Sequence, residues 1–294
     1  APTGVMAEAS HPVELLARNQ WGGIRSMAEL LPAFVMPNDP AVDRILKAAS
    51  DALRRAGRKD GIDGYEAKSR KRVWELASGI WSAVCSQRIS YALPPASFES
   101  NGQKVRTPGA ILEGKVATCL DTALLFAAAL EQAGLNPLIV LTRGHAFAGV
   151  WLQPMEFQTL ITDEAAALRR RIALQELLVF ETTLATQASP SSISQAEKAA
   201  QRLIAEDAPD AFEMAIDIRR ARMQRIRPLS LVGQTRSSDA DDAAAHVIDA
   251  LETAPDLPDF DVEVTEEADR VRDRISLWQR KLLNLTTSNR LLHL

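Results

Sequence analysis

The chain is poor in the residues that build disulfide frameworks or metal centres. Two cysteines in 294 residues cannot staple a fold, and four scattered histidines offer no pair at metal-ligand spacing. A reduced compartment, no metal and no cofactor are therefore expected. No GxxxxGK[ST] phosphate loop occurs, so no nucleotide-driven motor activity belongs to these residues. Apolar runs fall short of the ~20 residues that cross a bilayer, and residues 1–10 have neither the basic start nor the apolar stretch of a leader. No membrane contact and a cytoplasmic location follow as expectations. Basic residues are not in excess: 34 Lys and Arg stand against 38 Asp and Glu, a net charge of -4, which argues against direct nucleic-acid binding. What the chain does have is apolar content, 46%, enough to bury a sizeable core.

That content is unevenly spread. From His11 to about residue 231 apolar periodicity is dense and broken by short turn signals, the pattern of one packed domain. Asp43–Arg55 and Arg72–Gln87 repeat apolar residues every three to four positions and read as amphipathic helices. Leu93–Gly109, with three prolines and two glycines, reads as an ordered surface loop. Cys119–Ala133 is rich in helix formers and stops at Gly134 before Pro137. Pro137–Thr142, Ala146–Leu152 and Leu177–Thr183 are short and rich in branched or aromatic residues, as strands are. Thr162–Leu174, Ser194–Glu206 and Ala211–Arg225 read as further helices, the last with a solvated arginine face. A helix followed by strands without regular alternation indicates an α+β fold.

Beyond residue 231 the composition changes. Residues 232–264 carry nine acidic residues against Arg236 and too little apolar surface to offset ordering, so a flexible acidic linker is expected there. Residues 265–294 turn amphipathic again through Trp278, Leu282, Leu283 and Leu285, as the start of a truncated helical domain would.

Cys119 stands at a helix start, where unpaired backbone N–H groups and the helix dipole favour a thiolate nucleophile. Such a thiol needs an imidazole to hold its proton and a third group to orient that imidazole. His145, opening a strand after Arg143-Gly144, can face the helix start, and Glu181, near the end of another strand, can sit behind it. Gln103 in the preceding loop can donate to an oxyanion, or is a surface glutamine. Asp121 can support the site or simply cap the helix. Cys85, on an apolar helix face, is expected to be inert core.

These residues carry a resemblance. Gly114-Lys-Val-Ala-Thr-Cys119-Leu-Asp121-Thr-Ala123, then Leu130-Glu-Gln-Ala-Gly134-Leu-Asn-Pro137, Gly144-His145-Ala146-Phe147 and Phe180-Glu181-Thr182-Thr183 resemble the core of transglutaminase-like, papain-type proteins. Phe147 stands where that family has tryptophan, and Glu181 where it has aspartate. The resemblance implies a cysteine-bearing helix packed on an antiparallel sheet with additional helices, and a Cys119–His145–Glu181 triad. It implies a cysteine peptidase or related amide acyl-transfer enzyme working through a thioester on a protein or peptide. A catalytically silent protein-interaction module on the same fold is the alternative.

A second resemblance is longer. His11–Trp21, Pro94–Phe98, the Cys119 region and Trp278–Arg290 are similar to the front part of large bacterial helicase-related proteins, in which a transglutaminase-like segment precedes a superfamily-1 helicase. It implies helicase-type domains as partners in a longer chain, with a role near DNA metabolism or in antiviral (phage) defence carried by parts outside these residues.

Overall fold

The structure, a computed structural model, describes residues 10–11, 15–207, 211–230 and 251–260. A two-residue strand, β1 (Gln20–Trp21), leads to two long helices, α1 (Pro40–Arg55) and α2 (Arg70–Ser86). Asp39 caps α1 by accepting from the Ala41 amide, and Pro40 suits the first turn because its missing N–H would go unbonded there. Gly79 lets α2 lie close on α1: a Cβ there would sit 3.1 Å from Leu53 Cγ.

Three short strands follow, β2 (Ser90–Tyr91), β3 (Gln103–Lys104) and β4 (Val116–Ala117), and then the central helix α3 (Cys119–Gln132). Every residue of α3 from Cys119 to Leu130 is buried, as suits a helix that is apolar nearly all round. Next come β5 (Pro137–Thr142), β6 (His145–Trp151), β7 (Ile161–Thr162), α4 (Ala165–Ala173), β8 (Leu177–Phe180), α5 (Ile193–Leu203) and β9 (Phe212–Asp217).

β5 to β9 form a five-stranded sheet in the order β7-β9-β5-β6-β8, every pair antiparallel. Alternation along the strands gives each face its own core. Ile139, Leu141, Ala146, Ala148 and Val150 face the large cluster built around α1, α2 and α3. Leu138, Val140, Phe147, Trp151 and Val179 face Leu168 of α4 and Ala200 of α5. The architecture is thus α+β, with helices on both faces of an antiparallel sheet.

Three expectations need correction. Ala211–Arg225 is not one helix: its first half is β9, because Met214 and Ile216 belong to a period-two pattern, and a helix begins only at Ile218 after the Asp217 cap. Leu93–Gly109 is not a simple surface loop. Phe98, Glu99, Gln103 and Val105 are buried, and β3 pairs with β1 across a backbone crossing so tight that a Cβ on Gly102 would lie 2.0 Å from the Trp21 carbonyl oxygen.

The third concerns the acidic span. Residues 251–260, inside the expected linker, lie against the domain. The Glu252 carbonyl accepts from Arg58 (2.6 Å), the Glu252 carboxylate from the Ser194 amide (3.0 Å), and the Phe260 amide donates to the Lys68 carbonyl (3.1 Å). Leu251, Ala254, Leu257 and Phe260 turn inward. They recur every third residue around Pro255 and Pro258, the period of an extended polyproline-type chain, which helix and strand templates both miss. The rest of the expected linker and the helical tail over 265–294 lie outside the described residues.

Candidate active site

The start of α3 is fixed by a capping box. Thr118 Oγ1 accepts from the Asp121 amide (3.2 Å) while Asp121 Oδ2 accepts from the Thr118 amide (2.9 Å). Asp121 is fully buried and also accepts from the Arg106 backbone (2.8 Å) and guanidinium (2.7 Å). With both oxygens committed, Asp121 holds the helix start and the Arg106 loop together rather than facing a reactant. Cys119 is the first helical residue, where the helix leaves backbone N–H groups without intrahelical acceptors.

His145 enters on the β5–β6 hairpin. Thr142 pairs with His145 across the Arg143-Gly144 turn, and Gly144 takes a positive φ of 68° there. β6 packs along α3, which brings the imidazole to the helix start. Its Nε2–H donates to Glu181 Oε2 at 2.5 Å, and the Cys119 thiol lies within hydrogen-bonding reach of the ring. Since Glu181 occupies Nε2, Nδ1 is the nitrogen left for the sulfur.

Glu181 lies one residue past the end of β8, at the head of the 3-10 turn Thr182–Thr186. Its Oε1 accepts from both the Thr183 amide (2.9 Å) and the Thr183 hydroxyl (2.7 Å), leaving Oε2 for the imidazole. A hydroxyl pair, Thr122 Oγ1 with Thr182 Oγ1 at 3.0 Å, ties this turn to the first turn of α3. The three sequence-predicted residues, about sixty positions apart at the extremes, are thereby held in one constellation.

The electrostatics agree with the geometry. Burial by itself lowers the His145 ring, but hydrogen bonds and charge from Cys119 and Glu181 outweigh it and push the ring up to about 10. Burial raises the Glu181 carboxyl, and the bonds from His145 and Thr183 more than reverse that, so it is held below its ordinary value and stays ionised. A carboxylate–imidazolium pair is thereby set beside the Cys119 thiol. Cys85 is the contrast: buried on α2, its thiol is pushed up to about 12 by burial.

Gln103 reaches the neighbourhood with one of its two amide N–H groups already engaged. Buried in β3, it donates from Nε2 to Thr118 Oγ1 (3.1 Å) and so supports the helix cap. Its Oε1 has no hydrogen-bond partner among the described residues.

Two residues escape the sequence reading. Thr183, which orients Glu181, is legible only as the residue after the next in Phe-Glu-Thr-Thr. Tyr91 is brought in by a parallel bridge, Tyr91 opposite Ala117, with the Ala92 amide on the Ala117 carbonyl at 2.8 Å. Its phenol lies near Cys119 and feels the negative charge of Cys119 and Glu181. No local pattern marks such a residue, because its importance comes from a pairing with the strand ahead of the nucleophile.

Among the described residues no cluster of three or more His, Cys, Asp or Glu side chains could hold a metal ion, and no helix is long and apolar enough to cross a membrane. Comparison of the chain with protein-family profiles, with curated proteins and with solved structures returns no match.

Proposed function

We propose that this chain is a cysteine-nucleophile acyl-transfer enzyme of the transglutaminase-like, papain-type class, a peptidase or deamidase acting on a protein or peptide. The observation that carries the reading is the Cys119–His145–Glu181 array, in which Glu181 holds Nε2 at 2.5 Å and turns the rest of the imidazole toward the thiol. The papain-like reading of the fold draws on the same layout: a nucleophile at the start of a buried helix, and a base at the head of an antiparallel strand packed along it.

The steps are those of amide acyl transfer. The Cys119 thiolate forms a bond to the carbonyl carbon, and the C=O π pair moves onto oxygen. That pair returns as the C–N bond breaks, with the His145 proton going to the departing amine. A thioester remains; neutral His145 takes a proton from water, whose oxygen adds to the thioester carbon, and the C–S pair returns to sulfur. An amine in place of water gives cross-linking through the same intermediate.

The alternative is a silent interaction module, and it draws on one observation: Cys119 has no solvent-exposed surface. We further propose, from the sequence resemblance alone, that the domain works beside helicase-type domains in a longer, cytoplasmic defence protein. Incubation with p-nitrophenyl acetate tests the enzymatic reading. Rapid p-nitrophenolate release is expected from the wild-type chain, with acetyl found on Cys119 after an acid quench during turnover, and is expected to fall to the background of amine acetylation in C119A; release as fast in C119A as in wild type overturns it.

A further inference from the structure

An amide carbonyl under attack needs donors for its oxygen, and the residue expected to supply one already has one of its two amide N–H groups on Thr118. Gln103 donates to Thr118 Oγ1, the acceptor that also holds the Asp121 amide, so turning that side chain toward a substrate weakens the cap under the nucleophile. The Cys119 backbone N–H supplies one donor by virtue of its place at the helix start. A second can come from a group beside the sulfur, since the oxygen is bonded to the carbon that the sulfur attacks.

Tyr91 meets that requirement. The β2–β4 bridge sets Tyr91 opposite Ala117, two residues ahead of Cys119, and the adjoining Ala92 amide locks the register. That pairing carries the phenol to the neighbourhood of Cys119, while 40% of the residue stays exposed, so the ring is anchored at its backbone and open to solvent at its edge. Burial, followed by the negative charges of Cys119 and Glu181, raises the phenol above its ordinary value, so it keeps its proton and can only donate to an anion.

We infer that Tyr91 is the second oxyanion donor of this site, its O–H resting on the Cys119 thiolate and passing to the carbonyl oxygen as the S–C bond forms. In the resting enzyme the negative charge lies on sulfur and the phenol stabilises it there. On attack the charge moves to the oxygen beside it, and the phenol follows over a short distance. When the C=O bond re-forms, the phenol is released; no proton leaves Tyr91 at any stage. This assignment deepens the acyl-transfer reading and rests on it.

Two probes separate the roles. Acylation by p-nitrophenyl acetate passes through a tetrahedral oxyanion, whereas iodoacetamide loses iodide at a saturated carbon and forms none. Second-order rates at Cys119 for both reagents are to be measured on the full chain as wild type and Y91F, with total p-nitrophenolate release followed in C119A as the control. Removing one such donor costs about 10²–10³ in rate, whereas a lost hydrogen bond to the resting thiolate, about 10- to 100-fold or about 1.5–3 kcal/mol, slows both reactions alike by lowering the thiolate population and cancels in their ratio. Y91F is therefore expected to lose acylation about 10²-fold more than alkylation, and continued alkylation shows that its site is folded. Equal acylation in Y91F and wild type overturns the Tyr91 assignment and leaves the nucleophile reading standing. Parallel loss of both reactions also overturns it, by making Tyr91 a support for the thiolate only. Acylation as fast in C119A as in wild type overturns the acyl-transfer reading itself.

Discussion

Replacing Glu181 by Gln keeps the shape of the side chain and removes its charge, and the structure dictates how the amide must sit. Two donors from Thr183 converge on Oε1, so the single amide oxygen stays there and the NH2 turns to His145. Nε2 must then accept, which confines the imidazole proton to Nδ1, facing the sulfur, and removes the charge-assisted partner of an imidazolium. A hydrogen bond to a charged group contributes about 1.5–3 kcal/mol, and about 1.4 kcal/mol is a factor of ten. The thiolate–imidazolium form should thus become roughly 10 to 100 times rarer at pH 6. The assay is the rate of iodoacetamide labelling at Cys119 from pH 5 to pH 9, read by peptide mass mapping. Wild type should keep its rate well into acid, and E181Q should fall at pH 6 and recover toward pH 9, with a smaller loss of acylation than in C119A. An E181Q profile that overlays wild type would refute the orienting role and require another group behind the imidazole.

Two further expectations concern stability. Ending the chain at residue 231 removes Leu251, Ala254, Leu257 and Phe260 from the core and leaves Arg58 with Glu75 alone, so it should lower the thermal midpoint against a chain ending at 264. A loss of about 2 kcal/mol corresponds to roughly 4–8 °C for a domain of this size; coincident midpoints would show that the 251–260 contacts contribute nothing net. The His145–Glu181 pair should make stability depend on pH from both sides. His145, raised from 6.5 to about 10, contributes fully below pH 6.5 and loses its contribution as pH rises through about 10. Glu181, held below its ordinary 4.5, contributes above that value and loses its contribution as pH falls beneath it. The stability gap between wild type and H145Q should therefore be widest near pH 5–6.5 and close toward pH 10, as chemical denaturation at several pH values would show; a gap that widens with pH contradicts the pairing.

Legibility followed the range of the signal. Cys119, His145 and Glu181 could be read because each sits at an element boundary that its own neighbours announce: Thr118 and the alanine-rich run, the Arg143-Gly144 turn, the Leu-Leu-Val-Phe strand. The central helix and β5 emerged almost at their observed bounds for the same reason. Tyr91 could not be read, since a two-residue parallel bridge leaves no periodicity. Gln103 was legible as a residue near the site, but its use as a support for Thr118 depends on the β1–β3 crossing at Gly102. β9 was hidden by the arginines that follow it, and the 251–260 strap by a three-residue period diluted in an acidic window.

The central claim is that Cys119 is an activated nucleophile, and the chain carries its own control in Cys85. Brief treatment of the native protein with iodoacetamide at pH 6, followed by peptide mass mapping, compares the two thiols under one condition. Cys119, paired with an imidazolium, should be labelled well ahead of Cys85, whose buried thiol is pushed up to about 12, and H145A should lose most of that preference. Labelling of Cys119 no faster than a free thiol, or at a rate indifferent to His145, would contradict the account and leave a silent module in its place.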